Sequence, residues 1–278
     1  MKIQEVIDRI CKWHEPFVDR EGGRDRVLCG DPEQECTGIA VTVCATYEVI
    51  QKAASQGANF IITHESIFFG SRIDQDGLEE NEVYQSKRKL IEDSGIVIWR
   101  DHDRMHGNGR PFYPERKRND YIFYGICKEL GWDDYVADDP MKPLLYHIPE
   151  TTATELSELF MDKFGLKGLR IVGNRDAKIK TVWFAEHVQG GKNDGEKVAQ
   201  GLQADAIIPF EICDFTLTQF VRDAAAMGQN KVMLEMGHFN CEELGMKYCL
   251  QWLPEAIGDS ISLTFIPAGD TFEYIARW

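Results

Sequence analysis

Between residues 38 and 99 the chain repeats one pattern: a short apolar run, a helix-period segment, then another apolar run. The runs are 38–45, which holds Ile39, Val41 and Val43, then Asn59-Phe60-Ile61-Ile62-Thr63, then Gly95 to Trp99. Each is short, rich in β-branched or aromatic residues and apolar throughout, as strands buried on both faces are. Between them, residues 48–56 read as a helix stopped by Gly57, and residues 79–93 as a second helix. Strand and helix in alternation predict a parallel sheet covered by helices, because parallel strands need a crossover connection. A helix over 2–14, with Ile3, Val6, Ile7, Ile10 and Cys11 at helical spacing, precedes this unit, and one over about 120–130 closes it at Gly131.

The segment Asp138-Asp139-Pro140-Met141-Lys142-Pro143 interrupts both periods and is read as a linker, giving lobes at 1–139 and 140–278. Beyond it, strands are expected at 144–148, 168–173, 180–186, 206–210, 231–236 and 260–266. Helices are expected at 153–164, near 194–201, near 216–227 and at 241–253. The fold class is therefore α/β in two lobes, and 278 residues suffice to bury a core without staples.

Charge narrows the function. Lysine and arginine total 31 against 46 acidic residues, a net charge of −15, which repels a phosphate backbone. Arg116-Lys117-Arg118 is the single basic block and is read as a solvated loop or helix start, so no nucleic-acid partner is expected. The eight cysteines form no Cys-x-x-Cys pair, and the N-terminus enters an amphipathic helix, not an apolar signal segment. No apolar run approaches the ~18 residues that span a membrane. A reduced, cytoplasmic protein is expected. Phosphate-cradling, dinucleotide-binding and nucleophile-elbow motifs are all absent.

Three clusters of potential metal ligands stand at the carboxyl ends of expected strands, where open α/β sheets bind ligands. The first is His64-Glu65; it is not a zinc-protease His-Glu-x-x-His, since position 68 is Phe68. The same test fails at His14-Glu15, and His14 is read as a surface helix residue. The second cluster is Asp101-His102-Asp103-Arg104-Met105-His106. If the second and third strands are parallel neighbours, His64 and His102 share one sheet edge. The third is Gly237-His238-Phe239-Asn240-Cys241-Glu242, where a strand runs into a helix with Asn240 as its expected N-cap. His238 and Glu242, four apart, can converge on one point, and imidazole with carboxylate suits zinc, iron, manganese or nickel. Each cluster taken singly has a plainer reading, as solvated polar ends of strands or acids favoured at a helix N-terminus. His147 and His187, near strand ends without matching spacing, are read as structural.

Taken together, these stretches resemble the family of dinuclear metal centre, hexameric proteins called GTP cyclohydrolase I type 2-like or NIF-three-like. The likeness runs through Ala45-Thr46-x-Glu48-Val49, Gly57 to His64, the Gly95-Ile96-Val97 strand leading to His102, and the Gly-His-x-x-x-Glu stretch at 237–242. The family's first cluster carries two successive histidines, and here the second is Glu65. In its strand-end motif His102 holds the first position, and His106 falls where a ligand aspartate belongs. His238 and Glu242 match the expected histidine and bridging glutamate, while a further family histidine is replaced within Thr218-Gln219-Phe220-Val221. These exchanges swap one ligand type for another and leave the inventory of imidazoles and carboxylates the same.

The resemblance implies mixed sheets, a metal site in a cleft between the lobes, one or two divalent ions, and a toroidal homohexamer. It makes His64, Glu65, His106, His238 and Glu242 the expected metal ligands. His102 is then a residue that supports a ligand from behind or a proton shuttle, with a catalytic role, and Asp101 or Asp103 is expected to orient a ligand histidine. The function it suggests is hydrolysis of a small molecule, a nucleotide or purine-like ring, by metal-bound water. A non-catalytic metal-binding scaffold or regulatory assembly is the alternative.

Overall fold

The structure, a computed structural model, describes residues 1–17, 21–70, 77–107, 120–192 and 194–275. The basic block Arg116-Lys117-Arg118 and Gly109 lie outside the described residues. Two compact units form, one from Met1–Gly125 with Glu243–Ala268, the other from Ile126–Glu242 with Gly269–Trp278.

The first unit opens with α1 (Ile3–Trp13), followed by β1 (Arg26–Cys29), β2 (Ile39–Thr42), α2 (Tyr47–Ser55), β3 (Phe60–Thr63), α3 (Glu82–Ser94) and β4 (Val97–Arg100). α4 (Tyr121–Leu130) comes next and runs into the second unit. Every residue of β2, β3 and β4 is buried, as expected of strands covered on both faces. They pair in parallel with matched ends, Thr42 beside Thr63 and Thr63 beside Arg100. The condition set from sequence is thus met, and the chain leaves β3 and β4 along one edge. Val49, Ile50 and Ala53 of α2 and Tyr84 and Ile91 of α3 join Ala40, Ile61 and Ile98 in one core cluster. Thr46 caps α2 and Asn81 caps α3 through side-chain oxygens that accept backbone N–H groups.

β1 has no counterpart in the sequence reading. It is four residues long, half-exposed and antiparallel to β4, so it carries neither a buried run nor a clean alternation.

The second unit contains β5 (Leu145–Thr152), α5 (Ala153–Phe164), β6 (Arg170–Gly173), β7 (Lys178–Val188), α6 (Asp194–Gly201), β8 (Ala206–Ile212), α7 (Leu217–Ala226) and β9 (Val232–Glu235). Its sheet runs β5-β7-β8-β9-β6, with β7, β8 and β9 parallel and β5 and β6 antiparallel at the edges.

The segment expected as one helix over 241–253 is two, α8 (His238–Lys247) and α9 (Cys249–Ile257), divided at Tyr248. β10 (Leu263–Phe265) then pairs in parallel with β2 and completes the first sheet as β1-β4-β3-β2-β10. Both sheets are mixed, as expected of this α/β class.

Candidate metal centre

In the first unit a buried carboxylate shapes the loop after β4. Asp25 accepts the backbone N–H groups of His102, Asp103 and Arg104 at 2.7, 2.6 and 2.8 Å. This turns the chain so that His102 and His106 come back over His64, the residue following β3. The His64 and His102 rings stack at 4.3 Å between centroids, and His106 lies 4.8 Å from each.

The protonation of this group follows from its partners. His64 Nδ1 lies 3.2 Å from the carbonyl oxygen of Asp101, which can only accept, so Nδ1 carries the proton. His106 Nδ1 lies 2.9 Å from Asp120 Oδ2, and Oδ1 of the same carboxylate accepts from Phe123 N at the start of α4. Each neutral ring therefore presents an Nε2 lone pair, and the two Nε2 atoms face one another at 3.0 Å. Two lone pairs at that distance repel unless a proton or a cation lies between them. Fixing Nδ1–H on a carboxylate or carbonyl is how proteins orient metal-binding histidines. The residues present therefore fit a divalent ion.

His102 is held differently. Arg24 Nη1, a donor, lies 3.1 Å from its Nε2, so that nitrogen accepts and Nδ1, 3.3 Å from Asp103 Oδ1, carries the proton. Burial, then the neighbouring His64, pushes its pKa far down and keeps the ring neutral. Glu65 is held by the buried Arg100, whose Nη2 donates to Oε2 at 2.8 Å, while Oε1 is 3.7 Å from His102 Nε2.

In the second unit β9 ends at Glu235, Gly237 takes φ +97°, and α8 begins at His238. His238 Nε2 lies 3.2 Å from Oε2 of the buried Glu242, one turn on. The ring stacks on Phe210 at 4.8 Å, and its Nδ1 is 3.3 Å from Glu211 Oε2. Glu211 Oε1 accepts from His187 Nδ1 at 2.5 Å and from Gln189 Nε2. Burial pushes the Glu211 carboxyl up, but the hydrogen bond from His187 and the adjacent His238 ring outweigh it and bring it down to about 2.

His64, Glu65, His102 and His106 gather in the first unit, and His238 and Glu242 meet in the second. Two groups within single units, His64–His102–His106 and His187–Glu211–His238, bring ligand atoms within 4.8 Å of one another. His187, set aside from sequence, stands in the second; His147 is exposed, near Thr181. Asp120 and Glu211 were not foreseen. Asp120 precedes a helix and Glu211 closes an apolar strand, so each had a signal that only its spatial partner makes specific.

Two local readings need correction. Asn240 does not cap the helix: α8 starts two residues earlier because Gly237 makes the turn, and the Asn240 amide donates instead to Met236 O and Asp270. His14 is not a surface residue. It is fully buried, 3.2 Å from Asp101 Oδ2 and edge-on to Tyr121 and Trp252. Its position just after α1 is turned inward by that buried carboxylate.

Fold and side chains together define a class: an α/β protein of two mixed-sheet units, with clustered imidazoles and carboxylates suited to a divalent ion. The chain is similar to proteins already known. The Duf34/NIF3 (NGG1p interacting factor 3) family matches residues 1–98. The GTP cyclohydrolase 1 type 2 homolog of Clostridium perfringens is 28% identical over 283 residues, covering 99% of this chain and all of that one. A hypothetical protein of Staphylococcus aureus has the same fold at TM-score 0.70 and 18% identity, covering 99% of both chains. A Bacillus cereus protein related to NIF3 does so at 0.69 and 14%, again over 99% of both. Through residues 1–98 the chain is similar to the DUF34/NIF3 family, and over nearly its whole length it is similar to these relatives. No described helix is long and apolar enough to cross a membrane.

Proposed function

We propose that this protein is a metal-dependent hydrolase of a small molecule, a nucleotide or purine-like ring. Its ligands to one or two divalent ions are His64, Glu65, His106, His238 and Glu242. The observation that carries the reading is the pair of Nε2 lone pairs of His64 and His106 at 3.0 Å, each backed by a fixed acceptor on Nδ1. The substrate class rests on the 28% identical relative called a GTP cyclohydrolase 1 type 2 homolog. A divalent ion in such a site supplies Lewis acidity and brings the pKa of water toward neutrality.

The remaining roles belong to the chain itself. Arg100 donates to Glu65 and holds it in place. Asp120 and the Asp101 carbonyl hold His106 and His64 in the tautomer that leaves Nε2 unprotonated. His102 is the proposed catalytic residue: its Nε2 faces the Arg24 guanidinium at 3.1 Å and stands 3.7 Å from Glu65 Oε1.

The test has two readouts. Protein purified without chelator is analysed for bound metal, then screened with Mn, Zn, Fe and Ni against GTP and other nucleotides. Bound metal with a hydrolysed product supports the proposal. Bound metal with no product under any ion overturns the hydrolase and leaves a metal-binding scaffold. Glu242→Ala is expected to lose metal while keeping its circular dichroism; unchanged metal per chain removes Glu242 from the ligand set. The homohexamer implied by the resemblance is read from the mass in solution of the same preparation.

A further inference from the structure

We propose that Glu211 is the positioning residue of His238, and that with His187 and Gln189 it sets which ring nitrogen faces Glu242. This rests on the reading of His238 and Glu242 as metal ligands. Glu211 comes from the end of β8, and all five residues lie in the second unit.

His238 stands between two carboxylates. Its Nδ1 is 3.3 Å from Glu211 Oε2, and its Nε2 is 3.2 Å from Glu242 Oε2. A neutral imidazole has one proton for these two neighbours, so a cation or a second proton must serve the other side. On this proposal the proton sits on Nδ1, facing Glu211 Oε2, a buried oxygen with no hydrogen bond among the described residues. Glu211 is anchored from behind, because Oε1 accepts from both His187 and Gln189, which aims Oε2 at the ring. Phe210 stacks on His238 at 4.8 Å and 19°, and His187 meets it edge-on at 5.0 Å, so the ring plane is fixed as well. With Nδ1–H directed to Glu211, the Nε2 lone pair and the Glu242 carboxylate point at a common position. This is the carboxylate–histidine arrangement that raises the basicity of a metal-binding imidazole. At 3.3 Å the contact is an ion-pair distance, of the kind that shortens when the other nitrogen is engaged.

The same three side chains, His187, Glu211 and His238, have ligand atoms close enough to hold an ion themselves. Positioning is favoured because His187 Nδ1 already donates to Glu211, and because binding through His238 Nδ1 would turn its Nε2–H toward Glu242 and away from ligand duty.

The test uses the full chain and Zn2+. Affinity is measured by competition with a chromophoric chelator for wild type, Glu211→Ala, Glu211→Gln, His187→Ala and Glu242→Ala. Nitrogen-15 spectra then locate the His238 proton, the signal being assigned by its absence in His238→Gln. Glu211→Ala is expected to bind Zn2+ about 10–100-fold more weakly. Glu211→Gln, which keeps an acceptor oxygen, is expected to recover most of that loss. The wild-type zinc form should show His238 protonated at Nδ1 and coordinated at Nε2. Coordination at Nδ1, unchanged affinity in Glu211→Ala, or loss of a whole zinc equivalent in His187→Ala each overturns the proposal. If wild type binds no zinc, the metal reading of the site fails by itself. The Nδ1 proton in the metal-free spectrum, and its disturbance in Glu211→Ala, then decides the positioning role separately.

Discussion

At the scale of single residues, the chemistry of this protein is set less by the histidines than by what stands behind them. Asp120 illustrates this. One of its oxygens accepts Phe123 N and begins α4, and the other accepts His106 Nδ1–H and exposes the lone pair on Nε2. Asp120→Ala is therefore expected to weaken metal binding about 10–100-fold, the usual cost of losing such a partner. Asp120→Asn, whose one amide oxygen can still accept a hydrogen bond from His106 Nδ1, is expected to lose less. Chelator competition measures both, and equal affinity in wild type and Asp120→Ala would mean that His106 is no ligand. The motif residues His64, Glu65, His102, His106, His238 and Glu242 were visible in the sequence because each follows a strand or opens a helix. Asp120, Glu211 and the burial of His14 were not visible, since a carboxylate beside a helix or a histidine after one acquires its role from a residue far away in the chain.

At the scale of elements, close packing inside the first unit depends on two glycines. A Cβ on Gly245 would lie 2.7 Å from Ile122 O and 2.8 Å from Ile122 Cα. A Cβ on Gly125 would lie 2.7 Å from Tyr248 Cβ and 3.0 Å from Gly245 Cα. Those are backbone neighbours that no side-chain rotation can clear, so α4 and α8 must move apart if either glycine gains a methyl group. Overpacking of this kind costs about 1–3 kcal/mol. Gly245→Ala is expected to lose at least that in urea unfolding, with the slope against denaturant unchanged; a loss below about 0.5 kcal/mol would show that the helices separate freely. The helical period of α1, α2, α3 and α5 and the buried runs of β2, β3 and β4 were plain in the sequence, because each buries a whole face or both faces. The division of 238–257 into two helices was not plain, since Cys241, Leu244, Cys249, Trp252 and Leu253 are all buried and continue one apolar pattern across Tyr248.

At the scale of the whole molecule, the chain crosses between its two units and returns: residues 243–268 rejoin the first, and β10 lies beside β2. β10 therefore pairs with a strand about 220 residues upstream, a non-local contact of the kind that slows folding. Metal binding to the native state is expected to stabilise the molecule by mass action, about 2.7 kcal/mol at a free ion concentration 100 times the dissociation constant. Thermal unfolding of chelator-treated protein is expected at lower temperature, restored by Zn2+ in wild type and not in a His64→Ala, Glu242→Ala double variant. Equal restoration in both would place zinc elsewhere.

Apolar periodicity is a local property, and it determined the α/β class, the elements that bury a face, and the strand ends where the chemistry-bearing residues stand. Strand order depends on which distant segments find one another, and a side chain's protonation depends on the atom opposite it. The strand order of each sheet, the pairing of β10 with β2, and the choice of nitrogen on His64, His106 and His238 were therefore decided by the tertiary structure alone.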